Sequence, residues 1–190
     1  MFSSPQYTGH KSYNKRYAPG NELVRDVEFW GPLIALYTGM LRTEIAELGP
    51  DNIKCKNGIY YFDLHEGIRL KTEQSARVIP MHPELVKIGL PEYMQSLKNR
   101  YGPEAQLIDD FRSNATDRLN KFSVKFGAYL DKIGIKHSKL VFHSFQHNFK
   151  DALMRARVDP ERRRELMGHE ENAGSAHEQY GSYLDVEDLY

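Results

Sequence analysis

From Val27 to Tyr37 the chain reads "VEFWGPLIALY", bulky and apolar, and a Thr38-Gly39 break precedes "MLRTEIAEL", where Met40, Ile45 and Leu48 recur at helical spacing. This pattern predicts two helices meeting at Gly39. Farther along, "GIYYFDLH" and "ARVIPMH" are rich in β-forming residues and flank the polar stretch "EGIRLKTEQS". That is the arrangement of a hairpin or small sheet, with Lys71 near its turn. After Pro83 the helical period returns in "PELVKIGLPEYMQSLKNR", "ATDRLNKFSVKFGAYLDKIG", Ser144 to Arg157 and "DPERRRELMGH". The expected fold class is therefore mainly α with a small antiparallel β-sheet (α+β). Residues 1–20, "MFSSPQYTGHKSYNKRYAPG", show no apolar period and are rich in Ser, Tyr, Gly and basic residues, so an extended arm or linker is expected ahead of a domain over 21–190.

The chain has 190 residues and 40% hydrophobic content, enough for one sizeable core. Lys plus Arg and Asp plus Glu are 26 each, so the whole-chain balance gives no support to nucleic-acid binding, and any basic surface must be local. The candidates for such a surface are "HKSYNKR" and "RARVDPERRR". A single cysteine, Cys55, excludes an internal disulfide and a Cys-rich zinc module, and fits a reducing interior. No apolar run approaches the roughly 20 residues that span a bilayer, and the polar N-terminus lacks a signal-peptide core. A soluble, cytoplasmic protein with no membrane partner is expected.

The stretch "HSFQHNFKDAL" raises the question of chemistry. His143 and His147 stand at i and i+4, the spacing by which zinc proteases place two ligands, but those enzymes need a Glu directly after the first His. Here Ser144 follows, reading as a helix N-cap, and spacing fixes no third ligand. A zinc hydrolase on this pair ranks behind the reading in which His147 simply packs or meets solvent.

Five stretches in order, "TGMLRTEIAEL", "RLKTEQSARVIP", "HSFQHNFKDAL", "ELMGHEE" and "HEQYGSY", resemble the catalytic domain of the tyrosine recombinases, bacteriophage-type integrases in particular, from about residue 20 to 190. The resemblance implies a site-specific DNA recombinase acting on double-stranded DNA as a tetramer, with no metal, cofactor or small-molecule substrate. It also implies that the N-terminal DNA-clamping (core-binding) domain of such proteins is absent, with residues before 20 matching the linker to it. In that family a Tyr hydroxyl attacks the phosphodiester to give a 3′-phosphotyrosyl link and a free 5′-hydroxyl. Negative charge gathers on the non-bridging oxygens, which calls for fixed cationic donors, and a Lys or His protonates the leaving oxygen. By resemblance Tyr180 is the nucleophile, with Tyr183 and then Tyr190 as neighbouring rivals. Lys71 matches the hairpin general acid, His143 the first member of a His-x-x-Arg box, and His169 the later phosphate-binding histidine. The last residues, "YLDVEDL", have the spacing of a short helix suited to docking on a neighbouring subunit or folding back in cis.

Two departures stand out. Gln146 occupies the position of the second family arginine, and Leu41 that of the first, with Arg42 one residue late. One step along a helix turns a side chain by about 100°, which aims Arg42 away from the family direction unless the turn is rewound. Gln donates a hydrogen bond but brings neither charge nor fork. Losing one preorganised donor costs roughly 10²–10³ in rate, so strand cleavage is expected to be impaired. The alternative is a catalytically inactive DNA-binding or assembly module that kept the fold.

Overall fold

In the computed structural model, which describes residues 1–70, 75–113, 116–135 and 140–168, the opening residues do not lead away from the domain. They form a short helix, α1 (Pro5–Thr8), and a single 3-10 turn at Tyr13–Lys15, and Met1, Phe2 and Tyr7 pack on the core. Arg16 is buried and forks onto the equally buried Asp26. Composition had pointed to an extended arm; the difference arises because scattered polar residues here find specific buried partners, which no periodicity announces. One of the two basic stretches thus spends its arginine on an internal ion pair.

The central helix, α2 (Val27–Thr38), begins where Asp26 caps it, accepting from the Glu28 and Phe29 N–H groups. Nine of its twelve residues are buried, the signature of a helix surrounded by protein. Pro32 lies inside it, and because proline has no N–H the carbonyl of Glu28 loses its helical donor. The Gln6 side-chain amide supplies the missing bond, donating to the Glu28 carbonyl at 2.5 Å. The arm therefore completes the helix it lies on.

Gly39 ends α2 in the left-handed conformation at φ 65°, and α3 (Arg42–Glu47) follows, so the two expected helices do meet there. A second constraint acts at the same glycine: a Cβ would fall 2.5 Å from the Phe149 ring. The strands β1 (Ile53–Lys56), β2 (Ile59–Asp63) and β3 (Val78–Pro80) form one antiparallel sheet in that order. Phe62 pairs with Ile53 and Ile79, burying one face on the core. β1 was not expected. Its signal was Asn57-Gly58, which turns back with φ 50° and 82°, as a two-residue hairpin of the primed type demands.

The remaining helices are α4 (Pro83–Lys87), α5 (Leu90–Tyr101), α6 (Arg118–Lys132), α7 (Ser144–Arg155) and α8 (Pro160–Met167). The run after Pro83 reads as one helix by spacing but is broken at Gly89, whose φ is 91°. Phe122, Phe126 and Leu130 line one face of α6, and Phe126 and Phe142 pack edge-on at 5.2 Å, Phe142 and Phe145 at 5.4 Å. Each such pair adds about 0.5–1.5 kcal/mol beyond its buried area. Phe2 of the arm reaches Phe145 at 6.4 Å. No helix among the described residues is long and apolar enough to cross a membrane.

Candidate active site

Two elements far apart in sequence meet beside α6. The Thr38-Gly39 turn delivers Leu41 and Arg42 at the start of α3, and the turn before α7 delivers His143. Thr38 locks its turn twice, donating its hydroxyl to the Ile34 carbonyl at 2.6 Å and accepting the Met40 N–H at 3.2 Å. The Phe149 ring against Gly39 fixes α7 to that turn. Between them opens a groove of about 500 Å³ whose walls include Met40, Leu41, Arg42, Phe126, Phe142 and His143. Leu41 sits at the N-cap in extended conformation and Arg42 is the first helical residue, so the turn is not rewound, yet both line the same groove. Arg42 is half-buried and has no carboxylate or hydrogen-bond partner among the described residues.

His143, not Ser144, is the N-cap of α7, and its side chain makes no capping bond. The Ser144 hydroxyl instead accepts the Val141 N–H at 3.1 Å. The N–H groups of Ser144, Phe145 and Gln146 are already donated to Val141, Phe142 and His143 carbonyls. The helix start therefore offers an anion few free backbone donors, and contact from α7 depends on side chains. His143 is exposed, with its ring edge-on to His147 at 5.0 Å. Gln146 is half-buried one turn along, and its amide has no hydrogen-bond partner among the described residues. Among those residues no third His, Cys, Asp or Glu joins the two histidines.

Behind the groove lies a buried ion pair that spacing alone did not single out. Arg77, two residues before the middle of β3, forks onto Glu44 of α3 at 2.9 and 3.0 Å. Glu44 in turn accepts the Leu41 N–H at 2.8 Å, the reach-back of a capping box at the third helical position. Glu44 three residues after Leu41 is a readable half of that motif; nothing in the sequence marks Arg77 as its partner.

Lys71, His169, Tyr180, Tyr183 and Tyr190 lie outside the described residues, as does the terminal stretch "YLDVEDL". Of the basic run after α7, Arg155, Arg157, Arg162 and Arg164 are exposed and carry no ion pair among the described residues. In the other basic stretch Lys11 and Lys15 are exposed.

The model of the phage integrase family matches residues 28–180. Among solved structures, the XerH site-specific recombinase bound to difH substrate in a pre-cleavage complex is similar at 19% identity and TM-score 0.59, over 79% of this chain and 42% of that one. The Tn1549 transposon integrase in complex with transposon right end DNA is similar at 20% identity and TM-score 0.57, over 86% of this chain and 54% of that one. Both likenesses are of fold, and the chain spans about half the length of these structures or less. No curated protein matches the sequence.

Proposed function

We propose, from the premise that this chain belongs to the phage integrase family, that it carries the strand-transfer half of a site-specific DNA recombinase whose phosphate clamp is weakened. The observation that carries the reading is the groove that Arg42, which has no ion pair or hydrogen bond among the described residues, shares with His143, about a hundred residues away in sequence. In this reading the Tyr180 hydroxyl gives up its proton to solvent as its oxygen attacks the scissile phosphorus, the P–O5′ bond breaks, and Lys71 delivers a proton to the departing 5′-oxygen. His143, His169 and Arg42 hold the non-bridging oxygens, with Gln146 contributing a neutral donor where a guanidinium would give charge and a fork. Double-stranded DNA is the partner, reached in the cytoplasm, with the protein assembling into a tetramer on it; residues 21–190 act as the catalytic unit. No cofactor takes part in the step.

Leu41 and Gln146 favour a second reading, a DNA-binding or assembly module that no longer cleaves. A nicked suicide duplex separates the two. In the Leu41→Arg/Gln146→Arg protein a covalent DNA adduct is expected, abolished by a further Tyr180→Phe and kept with Tyr183→Phe. An adduct that survives Tyr180→Phe rejects the assigned nucleophile, and duplex binding with no adduct even after restoration favours the module.

A further inference from the structure

We propose that Arg77 is a positioning residue of this site: a buried guanidinium that ties the start of α3, directly beside Arg42, to the approach to β3 and the end of α8 without touching DNA. The proposal rests on the strand-transfer reading above. Arg77 is 5% exposed, so it cannot itself meet a phosphate at the surface. Its Nη1 and Nη2 donate to the two oxygens of Glu44, its Nη1 also to the Ser75 carbonyl at 2.8 Å, and its Nε to the Leu166 carbonyl at 3.1 Å.

Each of these partners stands next to a stretch of the site. Through Glu44 the guanidinium reaches the Leu41 N–H, directly before Arg42. Ser75 follows Lys71 by four residues in sequence. Leu166 belongs to the last turn of α8, two residues from Gly168 and three from His169. Gly168 is itself fitted to this arginine: it stands at φ 62°, and a Cβ there would lie 2.8 Å from Nη1. One side chain thus spans segments 33 and 89 residues away from it. A buried ion pair is weak evidence for stability, since well-packed apolar groups often do as well, whereas a planar fork imposes a geometry that apolar packing does not. Lysine keeps the charge but loses the fork, which makes Arg77→Lys the informative change.

The test has two readouts. In amide spectra of the protein with its own sequence, Arg77→Lys is expected to move both the Leu41 and the Gly168 signals. Gly168→Ala is expected to move the Leu41 signal across the clasp. Leu85→Ala, a core truncation in α4, should move neither. Unmoved Leu41 and Gly168 signals in folded Arg77→Lys would overturn the proposal. In the Leu41→Arg/Gln146→Arg background, Arg77→Lys should slow adduct formation by roughly 10- to 100-fold, as misplacement by a fraction of an ångström to an ångström does, with duplex Kd within about twofold. Loss of binding and cleavage together, in step with the folded fraction as for Leu85→Ala, would make Arg77 merely structural and equally overturn it. If even the restored protein forms no adduct, the strand-transfer reading fails while the amide signals still decide whether the clasp exists.

Discussion

His10 shows how much a single side chain can hold without belonging to the site. It is fully buried, and its Nε2 accepts the Val24 N–H at 3.3 Å while its backbone pairs with Glu22. Burial, and then the nearby Arg16 charge, hold its pKa below the ordinary 6.5. Protonation would cancel the Val24 bond and place a second cation beside Arg16. The folded state therefore binds fewer protons than the unfolded chain, and the stabilisation is fully present above pH 6.5 and lost as pH falls below it through the lower value of the folded state. Thermal melts between pH 7.5 and 5 should show Tm falling toward acid, with a flatter profile in His10→Gln, which keeps an acceptor but does not titrate. At this scale the sequence was only partly legible. Gly39, Leu41, Gln146 and His143 could be singled out only through the family resemblance, which fixes their place in the turn and the box. Arg16, His10 and Arg77 could not, because a buried polar residue is defined by a partner distant in sequence.

Helices were the most legible elements, since α6 and α7 repeat apolar positions at the period a helix requires and α2 is a long apolar run closed by Gly39. What escaped was local chemistry that overrides periodicity: Gly89 splitting α4 from α5, and Asn57-Gly58 pairing a strand with two lysines to β2. The join between α1 and α2 was equally invisible, because it repairs a defect of the second helix with a side chain of the first. Gln6→Ala should leave the Glu28 carbonyl opposite Pro32 without its donor at a part-buried site and cost about 1 kcal/mol, the low end for an unsatisfied group. For a chain of this size that is a Tm drop of roughly 2–4 °C per kcal/mol, readable by calorimetry. Gln6→Glu, which has no proton to give when ionised, should not restore it. Stability unchanged in Gln6→Ala would mean that the α1 contact contributes nothing to α2.

On the scale of the whole molecule, a formal net charge of zero leaves any phosphate contact to local groups. Arg155, Arg157, Arg162 and Arg164 stand exposed without ion pairs among the described residues, in a stretch that also exposes Asp151, Asp159 and Glu161. If these arginines meet the DNA backbone, replacing Arg155, Arg162 or Arg164 by Ala should lower the salt slope of duplex binding by about one for each phosphate no longer neutralised, uniformly across sequences. Unchanged slopes would move the phosphate-binding face elsewhere. The groove joins that surface question to the proposed chemistry, and its apolar walls follow from how α6 and the turn before α7 pack.

In the function proposed above, the fold and its reacting groups are retained while the phosphate clamp is weakened at residues 41 and 146. The most direct measurement is the single-turnover rate of covalent adduct formation on a nicked duplex, in the protein as it stands and in Leu41→Arg/Gln146→Arg. A gain of at least roughly 10² on restoration, removed again by Tyr180→Phe, is the predicted result, since one preorganised donor alone is worth about that much. Equal, measurable rates in the two proteins would contradict the weakened clamp and assign its charge to Arg42, and no adduct in either would leave only the non-cleaving module.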